Sequence, residues 1–172
     1  MDIKAIERIY IRHLKEIYSA EKQILEILPK VISVITNKDL KTSLKDHLEQ
    51  TKKQTGRIQK IFKHLNNYKS TNENSDFIDG LIDELEDLSD KTNKSNTLDA
   101  EIILIFQKIE HYEIACYSSV VTYARILGHG QSSQMLQESL DEEYEADNKF
   151  DKLNEDIISE GLMSLPEKGS YY

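Results

Sequence analysis

The chain has 172 residues, of which 38% are hydrophobic, and this length and apolar content suit one compact domain with a sizeable core. Its formal net charge of −9 argues against non-specific nucleic-acid binding, which depends on lysine and arginine, and against docking on anionic membranes. Only two prolines and six glycines are present, so turn signals are too sparse for a sheet protein and the sequence predicts an all-α fold.

A long amphipathic helix is predicted first, over residues 3–35, because apolar residues recur three and four positions apart along it. A tight turn at residues 37–39 separates it from a second helix that ends near Leu65. So short a connection predicts that the two helices form an antiparallel hairpin. Residues 66–74 are rich in Asn, Ser, Thr and Lys, a composition typical of a loop.

A short amphipathic helix is predicted next. Its apolar residues are Phe77, Leu81, Leu85 and Leu88. Their helical spacing places them on one face, and a polar stretch over residues 89–96 follows them.

A second hairpin completes the chain, with a third long helix over about residues 97–127, a turn at 128–130 and a fourth long helix over about 131–159. The connection between the two hairpins is about thirty residues long and carries its own helix. This arrangement predicts a ferritin-like four-helix bundle with one long crossover. The bundle is expected to occupy residues 1–160, with residues 161–172 as a peripheral or flexible tail.

The apolar stripe of each long helix is interrupted near its middle by polar residues, most of them carboxylates. Because side chains at this spacing share one helix face, these polar groups point to where the core should be. Buried carboxylates are costly unless they are paired or bind a metal. Carboxylates that converge from several helices of a bundle are how di-iron and di-manganese sites are built.

The predicted metal ligands are Glu21 from the first helix, Glu110 and Glu113 as ligands or bridges from the third, and Glu143 from the fourth. Carboxylate oxygens suit hard or borderline ions, and two ions share bridging carboxylates readily. The sequence therefore predicts two metal ions, iron or manganese. Asp147 on the fourth helix is either a further ligand or an acceptor that holds a ligand.

Gln54 and His47, two polar residues of the second helix, are predicted to have different roles. Gln54 lies at the matching level, where its amide oxygen would bind an ion weakly or hydrogen-bond to a ligand. His47 shares the stripe but lies about 10 Å further along the helix axis. We therefore interpret His47 as a core polar residue of a separate layer rather than as a ligand. Candidate hydroxyls for holding the ligands are those of Tyr10, Tyr18, Tyr112, Tyr117 and Tyr144.

Four segments carry a family resemblance: LKEIYSAEKQ at 14–23, HLEQT at 47–51, IEHYEIA at 109–115, and LDEE at 140–143 with Asp147 after it. They resemble the YciE/YciF family of small bacterial ferritin-like proteins, and the resemblance covers nearly the whole chain except the tail. The resemblance implies a cytoplasmic ferritin-like bundle associated with stress responses. It also implies a dinuclear metal site related to that of rubrerythrin.

The ligand pattern of ferritin-like proteins places a glutamate and, three residues on, a histidine on the second and fourth helices. In this chain those positions are Gln54 with Arg57 and Glu143 with Ala146. Both histidines are missing and one glutamate is a glutamine. This departure argues against a standard ferroxidase centre and against assuming that the first hairpin binds metal as tightly as the second.

Two functions from different classes fit these observations. The first is a ferritin-like dinuclear metal protein in redox or oxidative-stress chemistry, with oxygen or peroxide as its small-molecule partner. The alternative is a metal-free helical bundle that acts as a structural or partner-binding stress protein. In that case the inward acids would pair with Lys, Arg or Tyr, or line a dimer interface. A homo-oligomer is expected, with a dimer favoured, and no catalytic residue is assigned.

The expected location is the cytoplasm. The N-terminus shows no basic segment followed by an apolar one, so no secretory signal is expected. The single cysteine, Cys116, rules out an intramolecular disulfide. The apolar runs are far shorter than the roughly 20 residues that span a bilayer.

Overall fold

A computed structural model describes residues 2–65, 78–91 and 94–163, which form five helices. These are α1 (Ile3–Val34), α2 (Lys38–His64), α3 (Asp79–Ser89), α4 (Asn96–Ile126) and α5 (Gly130–Met163). The four long helices pack in a ring, α1 against α2, α2 against α5, α5 against α4, and α4 against α1. The short α3 packs on α1 and α4. The predicted all-α bundle, with a crossover that carries a short helix, is confirmed.

The helices begin and end close to the predicted positions, except that α5 continues to Met163. Ile157 near its end is only 2% exposed and packs in the core, which favours continuation of the helix. The predicted loop at 66–74 and Phe77 lie outside the described residues, as does the tail beyond Met163. No helix in the described ranges combines the length and apolar content needed to cross a membrane.

The turn between α4 and α5 is built around Gly128, whose φ is +76°. Its N–H donates to the carbonyl of Arg125, and the N–H of His129 donates to the carbonyl of Ala124 at 2.9 Å. This pair of bonds is a Schellman motif, which satisfies the last carbonyls of a helix and favours glycine at the left-handed position. The sharp reversal brings α5 back along α4.

The core consists of two apolar clusters stacked along the bundle axis. One cluster, near the turn between α1 and α2, contains Leu28, Leu44, Phe106 and Phe150. The other, near the turn between α4 and α5, contains Leu14, Ile58, Tyr117 and Leu136. The bundle interior between them is polar, as the interrupted stripes predict.

The turn between α1 and α2 is anchored by Asp99, a fully buried residue in the first turn of α4. Its carboxylate accepts hydrogen bonds from the N–H of Thr36 at 3.1 Å, the hydroxyl of Thr36 at 2.6 Å and the N–H of Asn37 at 2.7 Å. A buried carboxylate needs such donors. Asp99 therefore ties the first hairpin to the second at this end of the bundle.

Replacing Asp99 with alanine should lower the free energy of unfolding by about 3 kcal/mol, because Thr36 and Asn37 lose the buried acceptor of their hydrogen bonds. Urea denaturation followed by circular dichroism measures this change. The matched control is Asp90→Ala, since Asp90 is 72% exposed and contacts Lys30 at the surface, where an ion pair contributes about 1 kcal/mol or less. Equal losses in the two variants would contradict the anchoring role of Asp99.

Candidate metal centre

A layer of buried polar side chains crosses the middle of the bundle between the two apolar clusters. All four long helices contribute, because each has polar residues where its stripe faces the axis. No member is more than 1% exposed. The members are Glu21 from α1, His47, Thr51 and Gln54 from α2, Glu110 and Glu113 from α4, and Glu143 from α5.

Five residues of this layer form two groups of three, and in each group three ligand atoms lie within 4.8 Å of one another. The histidine group consists of His47, Glu110 and Glu113. The glutamate group consists of Glu21, Glu113 and Glu143. Glu113 belongs to both groups, so its carboxylate lies where a ligand shared by two ions would lie.

Most ligand atoms of the histidine group are not engaged by other side chains. Among the described residues, the ring nitrogens of His47 and the carboxylate oxygens of Glu113 have no hydrogen-bond partner, whereas the Glu110 carboxyl lies close enough to Glu143 to share a hydrogen bond with it. His47 Nε2 lies 3.3 Å from Glu110 Oε1. The rings of Phe106 and Phe150 make edge-to-face contacts with the imidazole, at centroid distances of 6.1 and 6.0 Å. Orphaned buried polar atoms are rare in native proteins and call for an ion, a proton or water.

The glutamate group is partly satisfied by its neighbours. The Tyr117 hydroxyl donates to Glu21 Oε1, and Gln54 Nε2 donates to Glu143 Oε1. The second oxygens of Glu21 and Glu143 have no hydrogen-bond partner within the described part of the chain. Tyr117, one of the five tyrosines considered from the sequence, thus holds a candidate ligand in place.

The electrostatics of the layer follow from its burial. Burial raises the pKa of Glu21, Glu110 and Glu113 well above the ordinary 4.5, and repulsion from Glu143 raises it further. Burial raises the pKa of Glu143 to about 7. Burial lowers the pKa of His47 to about 4, so the imidazole is neutral at pH 7. Without a cation, the layer favours protonated carboxyls.

These residues fit a pair of divalent metal ions. A neutral imidazole and several carboxylates are a donor set that suits iron and manganese. A cation would give the orphaned oxygens and nitrogens their missing partners and would relieve the repulsion among the carboxylates.

The structure brings four of the six proposed ligands together, namely Glu21, Glu110, Glu113 and Glu143. Gln54 is in the same layer, where its amide N–H holds Glu143 and its Oε1 has no partner among the described residues. Asp147 lies outside both groups, is partly buried, and has Oδ1 3.5 Å from Nδ1 of the exposed His111.

His47 requires a correction, because the structure places it beside Glu110 and Glu113 rather than in a separate layer. The polar layer extends along the bundle axis, since Glu110 and Glu113 are one helical turn apart and Glu113 serves both groups. The signal in the sequence is the long polar interruption of α2, from His47 through Thr51 to Gln54. An interruption of about two turns is long enough for two adjacent ion sites.

Arg57 occupies the position of α2 where the ferritin-like pattern has a histidine. Its guanidinium donates two hydrogen bonds to Glu142, at 2.6 and 2.8 Å, and one to Ser139 at 3.2 Å. Its Nε also lies 3.5 Å from Glu138. All three partners belong to α5, so Arg57 ties α2 to α5 beside Glu143.

Comparisons with known proteins agree with this architecture. The DUF892 family, described as a domain of unknown function, matches residues 5–163. Protein YciF of Escherichia coli K12 is 36% identical over 153 residues, which are 89% of this chain and 92% of YciF. The crystal structure of this E. coli stress protein has a TM-score of 0.84 at 34% identity and covers 90% of this chain and 97% of that chain.

Two further structures are similar. YcfI of Rhodopseudomonas palustris, described as a candidate structural protein, has a TM-score of 0.78 at 40% identity, over 88% of this chain and 96% of that chain. The dodecameric thioferritin of Bacteroides fragilis, a bacterioferritin-related protein, is 15% identical with a TM-score of 0.67. It covers 96% of this chain and 94% of that chain, and at this identity the likeness concerns the fold alone.

Proposed function

The chain belongs to the DUF892 family, and on this premise we propose that this ferritin-like helical protein binds two iron or manganese ions between its four long helices. The ions would serve redox chemistry with oxygen or peroxide during oxidative stress in the cytoplasm. Support for the stress role comes from E. coli YciF, which is named a stress protein. Assembly into a homodimer stays a prediction.

One observation carries this proposal: two groups of buried ligand atoms share Glu113, and most of their donor atoms have no other partner among the described residues. A bundle that served only as a scaffold would have no physical reason to keep these groups buried in its interior. Burying them costs free energy unless an ion or shared protons compensate.

The charges of the layer match the proposed ions. Ionised Glu21, Glu110, Glu113 and Glu143 carry four negative charges, and two divalent cations neutralise them. His47, being neutral at pH 7, adds a nitrogen ligand without changing this balance. When bound, a pair of redox-active ions supplies the capacity to exchange electrons with oxygen or peroxide.

The residues around the ligands have separate roles in this function. Tyr117 and Gln54 orient Glu21 and Glu143, because each donates a hydrogen bond to one oxygen and leaves the other oxygen for an ion. Phe106 and Phe150 pack against His47 and make its side of the layer apolar. A low-polarity surrounding strengthens the attraction between carboxylates and cations.

Metal analysis of the protein purified without chelator tests the proposal, and we expect about two ions per chain by plasma mass spectrometry. Restoring Mn²⁺ at about 100 times its Kd should add about 2.7 kcal/mol of stability, because an ion that binds only the native state shifts unfolding. For a chain of this length the melting temperature should rise by roughly 5–10 °C.

The control is the same titration with Mg²⁺, which retains its water shell and prefers oxygen ligands in octahedral geometry. Sub-stoichiometric metal together with a melting temperature that chelator and Mn²⁺ leave unchanged would contradict the proposal. That outcome is what the metal-free structural or partner-binding bundle predicts.

A further inference from the structure

The two ligand groups differ in how many of their ligand atoms already accept a hydrogen bond. In the histidine group the nitrogens of His47 and both carboxylate oxygens of Glu113 lack hydrogen-bond partners among the described residues. In the glutamate group one oxygen of Glu21 and one of Glu143 already accept hydrogen bonds, from Tyr117 and Gln54. The glutamate group also has no nitrogen ligand and shares Glu113 with the other group.

A fixed positive charge lies beside the glutamate group as well. Arg57 is three residues after Gln54 on α2, so the two side chains share one side of the helix. Gln54 contacts Glu143, while Arg57 contacts Glu142 and Ser139 on the same stretch of α5. The Arg57 side chain is 16% exposed, so water and salt screen its charge less than that of a surface arginine.

The positive charge of Arg57 is partly neutralised by Glu142. Glu142 binds the guanidinium through both of its oxygens, and its side chain is only 22% exposed. Such a bidentate pair fixes the position of both groups. Glu142 partly neutralises Arg57, so the net field on the neighbouring Glu143 depends on both members of the pair.

We propose that Arg57 is a positioning residue that weakens cation binding in the glutamate group, so that the histidine group fills first and the glutamate group second. The inference rests on the proposed function, since it concerns the same metal pair. Where the ferritin-like pattern supplies a histidine ligand to the second ion, this chain supplies a guanidinium that cannot bind a cation. The result is two sites of unequal affinity for the same ion.

Titration of the chelator-treated full-length protein with Mn²⁺, by isothermal calorimetry and equilibrium dialysis, tests the order of binding. We expect two steps that differ in affinity by at least about tenfold, the size of effect typical of ligands and their supporting groups. In His47→Gln the tight step should be lost and the weak step should persist. Electron paramagnetic resonance of the wild type should show isolated Mn²⁺ at one equivalent and coupled pairs at two.

A pair of variants tests the role of Arg57. Arg57→Gln should strengthen the weak step, and Glu142→Gln should weaken it, each by about tenfold, because the first removes a positive charge and the second leaves that charge uncompensated. Both variants break the same ion pair, so a purely structural role would move the weak step in the same direction in both. Arg12→Gln is the matched control, since Arg12 is 67% exposed and contacts Glu16 at the surface.

The outcomes separate the inference from the function on which it rests. No Mn²⁺ binding by the wild-type protein would overturn the proposed function. Two ions bound with equal affinity, or a tight step that persists in His47→Gln, would overturn the binding order while leaving the metal pair in place. Shifts of the same sign in Arg57→Gln and Glu142→Gln would overturn the role of Arg57.

Discussion

Replacing Glu113 with glutamine should abolish the binding of both metal ions and at the same time stabilise the metal-free protein. Glu113 is the residue common to the histidine group and the glutamate group. Its loss should reduce affinity at each site by more than the 10- to 100-fold that is typical of losing an outer hydrogen-bond partner. Plasma mass spectrometry and Mn²⁺ titration measure the first effect.

The gain in stability has an electrostatic origin. Burial and repulsion from Glu143 and Glu21 raise the pKa of Glu113, which means that its ionised form is costly in the metal-free protein. Glutamine has nearly the same shape and no charge. The free energy of unfolding at pH 8 should therefore rise by on the order of 2 kcal/mol in the presence of chelator, and the melting temperature by roughly 4–8 °C. Loss of function with a gain in stability is the pattern expected of a site kept for its chemistry.

Three comparison variants make this result specific. Glu145→Gln makes the same chemical change at an exposed position of α5 and should leave both ions bound. Glu110→Gln should remove the ion of the histidine group alone, and Glu21→Gln that of the glutamate group alone. A Glu113→Gln protein that retains one ion with wild-type affinity would show that Glu113 is not shared. A variant that is less stable than wild type in chelator would contradict the electrostatic origin of the gain.

The fold could be predicted because its determinants are local. Apolar residues at helical spacing mark each long helix, and tight turns join the helices of each hairpin. The left-handed conformation of Gly128 between α4 and α5 is likewise a property of the residue type. Two adjacent hairpins with a long connection leave few other ways to bury four stripes, so element order already restricts the topology.

The carboxylates of the site could be predicted for a related reason. Glu21, Glu110, Glu113 and Glu143 each replace an apolar residue on an inward face, and a bundle forces inward faces to meet. Which of them lie close enough to share an ion is a tertiary property, because it depends on how far each helix is displaced along its neighbour.

The position of His47 could not be predicted from the sequence, because it depends on how the helices pack. Its distance from Gln54 along α2 is fixed by helix geometry, but its level relative to α4 depends on the packing of α2 against α5 and of α5 against α4. The position of α5 along α4 likewise determines that Asp147 lies near the surface, beside His111. Arg57 could be recognised from the sequence as a departure from a ligand pattern, whereas its bidentate contact with Glu142 depends on α5 being adjacent.

The stability of the metal-free protein should fall as pH rises from 6.5 to 8.5, which is a direct consequence of the buried carboxyls. The pKa of Glu143 is about 7 in the native state and 4.5 ordinarily, and those of Glu21 and Glu110 are also raised by burial. The native state therefore binds more protons than the unfolded chain in this window, so unfolding becomes easier with increasing pH. Stability from these groups is complete below about pH 4.5 and is lost as pH passes each native pKa.

The expected slope is about 1.4 kcal/mol per pH unit for each carboxyl that is still protonated in the native state. His47 has the opposite linkage, because its native pKa of about 4 lies below the ordinary 6.5. Its contribution is lost as pH falls below 6.5, so measurements above pH 6.5 isolate the carboxyls. Urea denaturation in chelator at pH 6.5, 7.5 and 8.5 gives the slope, and Glu110→Gln should make it shallower.

Saturating Mn²⁺ should reverse this pH dependence, because an ion binds the deprotonated carboxylates and its binding releases their protons. The difference in stability between the metal-bound and metal-free protein should therefore widen with increasing pH. The contrary result is a free energy of unfolding, measured in chelator, that stays constant or rises between pH 6.5 and 8.5. It would mean that the inward carboxyls are ionised and that other groups of the protein compensate their charge. Opposite slopes would instead mean that the same carboxyls exchange protons for metal, as the proposed metal pair requires.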